Sequence, residues 1–284
     1  MIYGKCFPLT AEEMFMNERL PRLAASSYLN SAPLIWSFMR GAMKDLVTLT
    51  DPVPSKCADL LAEGAVDVAL VPVIEYQRIA GIHLIPGVCV GSKERVRSVV
   101  LVTRTGDLKS VTSVALDDSS RTSATLVKII FREFLGIKPS WQTAVPDLGK
   151  MLAANDGALI IGDPGMTFSR AGYHVWDLAT LWKQFTGLGF VFAMWMMRDD
   201  LANGALSLDF ERARDEGLAN LNEIVDYYEK LLPLSRAEIL DYLTDNISFT
   251  PNATMQQGMG LYFELAYRHG LIEAVKPLRF SAGE

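Results

Sequence analysis

The segment from Val114 to Phe131 narrows the possible folds more than any other part of this sequence. A short apolar run, Val114-Ala115-Leu116, meets Asp117-Asp118-Ser119-Ser120-Arg121-Thr122-Ser123. Ala124, Val127, Lys128, Ile130 and Phe131 then follow at the i, i+3, i+4, i+7 spacing of a helix that buries one face. The pattern predicts a strand that feeds a helix through a hydroxyl-rich turn, the repeating unit of α/β folds. At such a junction the first backbone N–H groups of the helix lack intrahelical partners, and the helix dipole favours negative charge. Ser120, Thr122 and Ser123 add hydroxyl donors, and Arg121 adds a planar, permanently charged fork that fits a carboxylate or phosphate. Two readings stand at this point: an anion seat, or an ordinary serine cap beside a surface arginine.

With 284 residues, 50% of them hydrophobic, the chain can bury a large core as one large domain or two lobes. Its net charge of −6 argues against a nucleic-acid partner, which needs a basic footprint, so any anion site is local. Cys6, Cys57 and Cys89 lie far apart without C-x-x-C spacing and read as reduced, buried thiols. His83, His174 and His269 are equally scattered, so no metal site and no cofactor is expected. No run of about 18 uncharged apolar residues is present, and the N-terminus lacks a basic segment followed by an apolar one. A cytoplasmic protein is expected, off the membrane, with a small molecule as its partner and a monomeric or homodimeric state.

Residues 1 to about 20 precede the folded core as a leader, either disordered or a short added helix. Ser26-Ser27-Tyr28-Leu29-Asn30-Ser31 is a second polar turn after a strand, and Pro33 falls in the first turn of the helix it opens. Asn30 both donates and accepts hydrogen bonds there, as a helix cap or as a ligand group. Ser55 is expected to cap a short helix carrying Cys57, Leu60 and Leu61 inward, closed near Gly64. Val66 to Pro72 is mostly apolar, as suits a strand covered on both faces, and Glu75-Tyr76 opens a helical turn whose expected role is packing.

Ile82 to Val90 and Ser98 to Val102 read as two further strands, with Ser98 at a sheet edge or cleft mouth. Thr103 to Thr112 has the polar, Gly-containing composition of a boundary. Gly157 to Ile161 is another apolar strand, and it leaves Asp163 at its carboxyl end, where ligands sit in open α/β sheets and where turn aspartates are also common. Phe190 to Met196 is the most hydrophobic run and must be a buried strand. The remainder reads as architectural helices: one long helix from Phe210 to Tyr228 halted by Pro233, a Ser235-Arg236-Ala237-Glu238 capping box, and a last helix ending at Gly270.

This order, a βα set, a boundary, a second βα set and a buried return strand, predicts two βα lobes joined by two crossing strands, near Ser98 to Val102 and Gly189 to Trp195. The expected division is a leader at 1–20, a first lobe at 21–101, a second at 102–189, and a return to the first at 190–284. Tyr28 to Ser31 from one lobe, and Ser119 to Ser123 with Asp163 from the other, would line the cleft between them.

These segments, taken with Ser27-Tyr28-Leu29-Asn30, Pro33-Leu34, Val66 to Pro72, Glu75-Tyr76, Ser98-Val99, Ala115-Leu116-Asp117, Ile161-Gly162-Asp163, Thr186-Gly187 and Phe190 to Ala193, stand in the order seen in one family. The sequence resembles the chorismate dehydratases of the futalosine route to menaquinone, the MqnA family, from about Arg22 to the C-terminus. Three features depart from that family: the leader, Pro164-Gly165-Met166 after Gly-Asp, and Gly189 where proline is usual.

The resemblance implies the bilobal type II periplasmic-binding-protein fold and the loss of water from chorismate to give 3-[(1-carboxyvinyl)oxy]benzoate. It also implies Asn30 and Ser98 as catalytic residues and a proton taken up by the substrate's own enolpyruvyl carboxylate. Tyr28, Ser120, Arg121, Thr122, Ser123 and, more weakly, Asp163 are then the expected substrate-binding residues. Two rival readings remain at this stage: 1,4-dihydroxy-6-naphthoate synthase of the same pathway, which invites a histidine base, and a non-catalytic cytosolic binder of small anions.

Overall fold

The computed structural model describes residues 19–202, 206 and 208–281, so the leader expectation and Cys6 lie outside the described residues, apart from Arg19 and Leu20. Two sheets organise the chain. In chain order the first lobe begins with β1 (Arg22–Ala24), helix α1 (Ala32–Met39), β2 (Thr48–Thr50), α2 (Pro54–Ala62) and β3 (Val68–Pro72). It continues with a helical turn at Glu75–Arg78, β4 (Ile82–Leu84) and β5 (Val90–Ser92). β6 (Val99–Thr103), β7 (Ser113–Asp117), α3 (Thr122–Ile129), β8 (Ser140–Ala144), α4 (Leu148–Ala154), β9 (Gly157–Ile161) and β10 (His174–Asp177) then build the second sheet. After α5 (Leu178–Thr186), the return strand β11 (Phe190–Arg198) rejoins the first sheet. Helices α6 (Phe210–Ala219), α7 (Leu221–Tyr228), α8 (Arg236–Asp241) and α9 (Ala253–Arg268) follow it.

The first sheet runs β2-β1-β3-β11-β4, with β5 also pairing to β11; the second runs β10-β6-β9-β7-β8. β1 pairs parallel with β2 and β3, and β7 pairs parallel with β8 and β9, as βα units require. β11 lies antiparallel to β3, between it and β4, and seven of its nine residues are buried, which explains its apolar composition. Phe38, Trp195 and Phe210 pack edge-on or tilted around its far end, and Trp182, Phe190 and Tyr262 around its near end. α1 and α6 approach so closely that a Cβ on Gly217 would stand 2.0 Å from the Pro33 carbonyl oxygen.

Several local expectations change in three dimensions. The chain changes sheet before Val99, inside a turn where the Ser92 hydroxyl donates to the Arg95 carbonyl and Arg97 adopts a positive φ of 61°. β6 therefore belongs wholly to the second sheet, and the boundary expected after Leu101 falls within it. The Asp177 carboxylate accepts the backbone N–H groups of Val96, Arg97 and Thr180, which ties the first crossing to the start of α5 on the second.

The expected strand at Ile82 to Val90 is interrupted at Pro86-Gly87, leaving β4 and β5 as separate short strands. α2 begins at Pro54 and is preceded by Val53, so Ser55 lies inside the first turn and caps nothing. The long helix expected from Phe210 to Tyr228 is broken at Asn220, whose side chain donates to the Glu216 carbonyl. The Ser235 capping box forms as expected, with both reciprocal hydrogen bonds to Glu238.

Candidate functional site

The two polar turns face each other across a cleft that encloses about 60 Å³. Tyr28, Asn30 and Ser31 form one wall and the residues from Ser119 to Ser123 the other. The floor is apolar: Leu70 and Pro72 from β3, Phe192 and Ala193 from β11, with Val99 and Ile161 from the second sheet. No Asp, Glu, His or Lys is found among the described residues that line it.

The second wall is shaped by Asp117 at the end of β7. This carboxylate is 1% exposed and accepts the Ser119 N–H at 2.9 Å, the Ser119 hydroxyl at 2.6 Å and the Ile161 N–H at 3.3 Å. Burial pushes its pKa up against the pull of these donors. The tight Asp-turn brings the hydroxyl row to the start of α3 without spending those hydroxyls on the helix: α3 has no side-chain cap. Thr122 accepts the Ile74 N–H on its hydroxyl at 3.3 Å and the Tyr262 hydroxyl proton on its carbonyl at 3.0 Å, so α9 braces the turn from behind. The Ser120 hydroxyl is buried and finds no hydrogen-bond partner among the described residues, a costly state in a dry wall and a useful one beside a polar ligand.

Arg121 lines the cleft, but its fork is not open as expected. Nη1 lies 2.8 Å from Glu75 Oε2 and Nη2 lies 2.5 Å from Asp59 Oδ1, both carboxylates belonging to the first lobe. Burial works against the guanidinium charge, yet the two carboxylates hold its proton more tightly than usual. Glu75, expected to serve packing, is 3% exposed and also pairs with Arg78 at 2.8 Å. Its position three residues before an arginine was the signal in the sequence; the partner 46 residues away left none.

On the opposite wall, Asn30 stands in a short 3₁₀ turn, Leu29–Ser31, and does not cap α1. Its amide makes no hydrogen bond to another described residue, while Ser31 turns inward to the Ser26 and Tyr28 carbonyls. The Tyr28 ring lies over Gly162, where a Cβ would come within 2.6 Å of it and the φ of 66° favours glycine. Burial, followed by the charges of Asp117 and Asp163, raises the Tyr28 phenol pKa.

Asp163 does not line the cleft. Its Oδ1 accepts the Leu29 N–H at 2.9 Å and so joins the two lobes behind Tyr28, and burial pushes its pKa up to about 6. Ser98 is also placed differently from the edge or cleft mouth expected. It is fully buried at the start of β6, its hydroxyl accepts the Tyr242 hydroxyl proton at 2.6 Å, and its neighbour Val99 faces the cleft. The structure thus brings Tyr28, Asn30 and residues 120–123 together and sets Ser98 and Asp163 one layer behind them.

Comparison with known proteins agrees with this architecture. The family model described as "Menaquinone biosynthesis" matches residues 21–268. A chorismate dehydratase of Thermus thermophilus is 32% identical over 240 residues, which cover 78% of this chain and 86% of that protein. Among solved structures, a protein of Archaeoglobus fulgidus superimposes with a TM-score of 0.72 at 16% identity, covering 90% of this chain and 100% of its own. The periplasmic aliphatic sulphonate binding protein of Escherichia coli gives 0.62 at 15% identity, covering 93% and 94%. The expected α/β, bilobal periplasmic-binding-protein fold is the fold observed.

Proposed function

The chain belongs to the menaquinone biosynthesis family, and we propose that its cleft carries out the chorismate dehydratase reaction, removing water from chorismate to give 3-[(1-carboxyvinyl)oxy]benzoate. The enzyme is a carbon–oxygen hydro-lyase acting on a small molecule. We further take it to work in the cytoplasm as a monomer or homodimer; among the described residues no helix is long and apolar enough to cross a membrane.

The observation that carries the mechanism is the chemistry of the two walls. Among the described residues, one wall offers donors at a helix start, with a buried hydroxyl that lacks a partner; the other offers the Asn30 amide; no lining residue is a conventional base. Such a site can bind carboxylates and orient a reactant but cannot take a proton itself. In chorismate the missing base is supplied by the enolpyruvyl carboxylate, which stands next to the ring C3–H. As that proton leaves C3, charge spreads through the ring into the C1 carboxylate, and the turn from Ser120 to Ser123 stabilises it there. The C4 hydroxyl then departs as hydroxide, which leaves as water once protonated, and the ring becomes aromatic.

Asn30 is assigned to the leaving hydroxyl, which its amide N–H meets as charge develops on oxygen. Tyr28 and the apolar floor fix the ring between the walls, so the reacting groups are held near one another. Ser98 acts from behind the site: with Tyr242 it sets the start of β6 and hence the position of Val99 at the floor. The test is turnover. Wild-type protein and Asn30→Ala are mixed with chorismate and followed by mass spectrometry for the loss of one water, and wild-type rates in the variant would refute the assignment of Asn30.

A further inference from the structure

Arg121 is shared unequally between its two carboxylates. The Glu75 side chain is 4% exposed and is held from behind by Arg78, so moving it would strand a buried charge. The Asp59 side chain is 39% exposed and has Arg121 as its ion-pair partner among the described residues. Exposed pairs are worth about 1 kcal/mol or less, so turning Asp59 into water costs little. Arg78, Arg121, Glu75 and Asp59 also cancel in charge. An anion that enters the cleft therefore meets a neutral cluster, and it reaches the N–H that Arg121 Nη2 directs at Asp59 by replacing that carboxylate.

We propose that Asp59 is a displaceable stand-in for a substrate carboxylate: it holds Arg121 Nη2 until a carboxylate of the substrate takes over that bond, and then swings into solvent. Glu75 remains in place and keeps the guanidinium at the cleft wall. Asp59 is then a specificity-determining residue. A ligand with one carboxylate on the Ser120–Ser123 turn and no second one leaves Asp59 paired, whereas a dicarboxylate completes both contacts and preserves the neutrality of the cluster. Asp59 lies on α2, whose first residue, Pro54, lines the cleft.

This inference rests on the dehydratase reading of the cleft, and the experiment separates the two. Steady-state kinetics and calorimetric binding of chorismate are measured for wild type, Asp59→Asn and Asp59→Glu, with thermal melts to confirm folding. The expected result is tighter binding in Asp59→Asn, with KM and Kd lower by about two- to five-fold, the equivalent of an exposed pair, and a larger change in KM than in kcat. Asp59→Glu returns both values toward wild type. A KM that rises or stays level in Asp59→Asn, with active wild-type enzyme, overturns the role of Asp59 and leaves the dehydratase reading intact. A wild type that neither binds nor dehydrates chorismate overturns both.

Discussion

Glu75 Oε2 lies 2.8 Å from Arg121 Nη1, joining a buried carboxylate of the first lobe to the residue that opens α3 in the second. Because Glu75 also serves Arg78, its loss leaves two guanidinium groups to share the one remaining carboxylate of the cluster, Asp59 on Arg121. Glu75→Gln is therefore expected to lose stability by about 3 kcal/mol or more, read from the midpoint of urea unfolding at constant slope. A loss below 1 kcal/mol would show that the pair is no more than a surface contact.

Asn30→Ala removes an amide that lines the cleft opposite the hydroxyl-rich turn and has no hydrogen-bond partner among the described residues. A rate lower by about 100- to 1000-fold is expected, with a smaller change in KM, because the amide acts on charge that develops after binding. Equal losses in kcat and in chorismate affinity would move Asn30 from catalysis to ground-state binding.

Ser98 and Tyr242 form one hydrogen-bonded pair, and comparing their single replacements separates packing from chemistry. Ser98→Ala strands the buried Tyr242 hydroxyl, at a cost of about 1–3 kcal/mol, whereas Tyr242→Phe removes that donor and leaves Ser98 unpaired. If Ser98 acts only by setting β6, the two variants lower kcat by similar small factors. A large drop confined to Ser98→Ala would place its hydroxyl on the substrate.

Asp163 gives a pH signature. Its folded-state pKa of about 6 lies above the ordinary value of 3.8, so the folded chain binds the extra proton between these limits. Its contribution to stability is fully present below about pH 4 and is lost as pH rises through about 6. Asp163→Asn, which still accepts the Leu29 N–H, should show a melting temperature that gains on wild type from pH 4 to pH 7. Parallel melting curves for the two proteins across that range would contradict the shift.

The strand, turn and helix from Val114 to Phe131 were legible because side-chain periodicity is local, and so was the buried character of β11. The same holds for the Ser235 capping box, which closes within four residues. What the sequence concealed are relationships with no local trace. Arg121 reads as an open anion fork until the fold brings Asp59 to it from 62 residues away, and Ser98 reads as a cleft residue until Tyr242 arrives from 144 residues away. At the start of β6 a single step along the chain decides whether a side chain faces the cleft, as Val99 does, or the core, as Ser98 just before the strand does. The antiparallel edge strand β10 leaves no pattern for another reason: its four residues mix His174, Asp177 and two apolar side chains without alternation long enough to count.

The central claim is the elimination of water by a cleft with no conventional base among the described residues that line it. Purified protein is mixed with chorismate and the products are resolved by mass spectrometry and ultraviolet absorbance. Enzyme-dependent formation of the aromatic enol ether, lighter than chorismate by one water and slowed in Asn30→Ala, is the predicted result. Recovery of unchanged chorismate from active-site concentrations of folded protein would contradict the account.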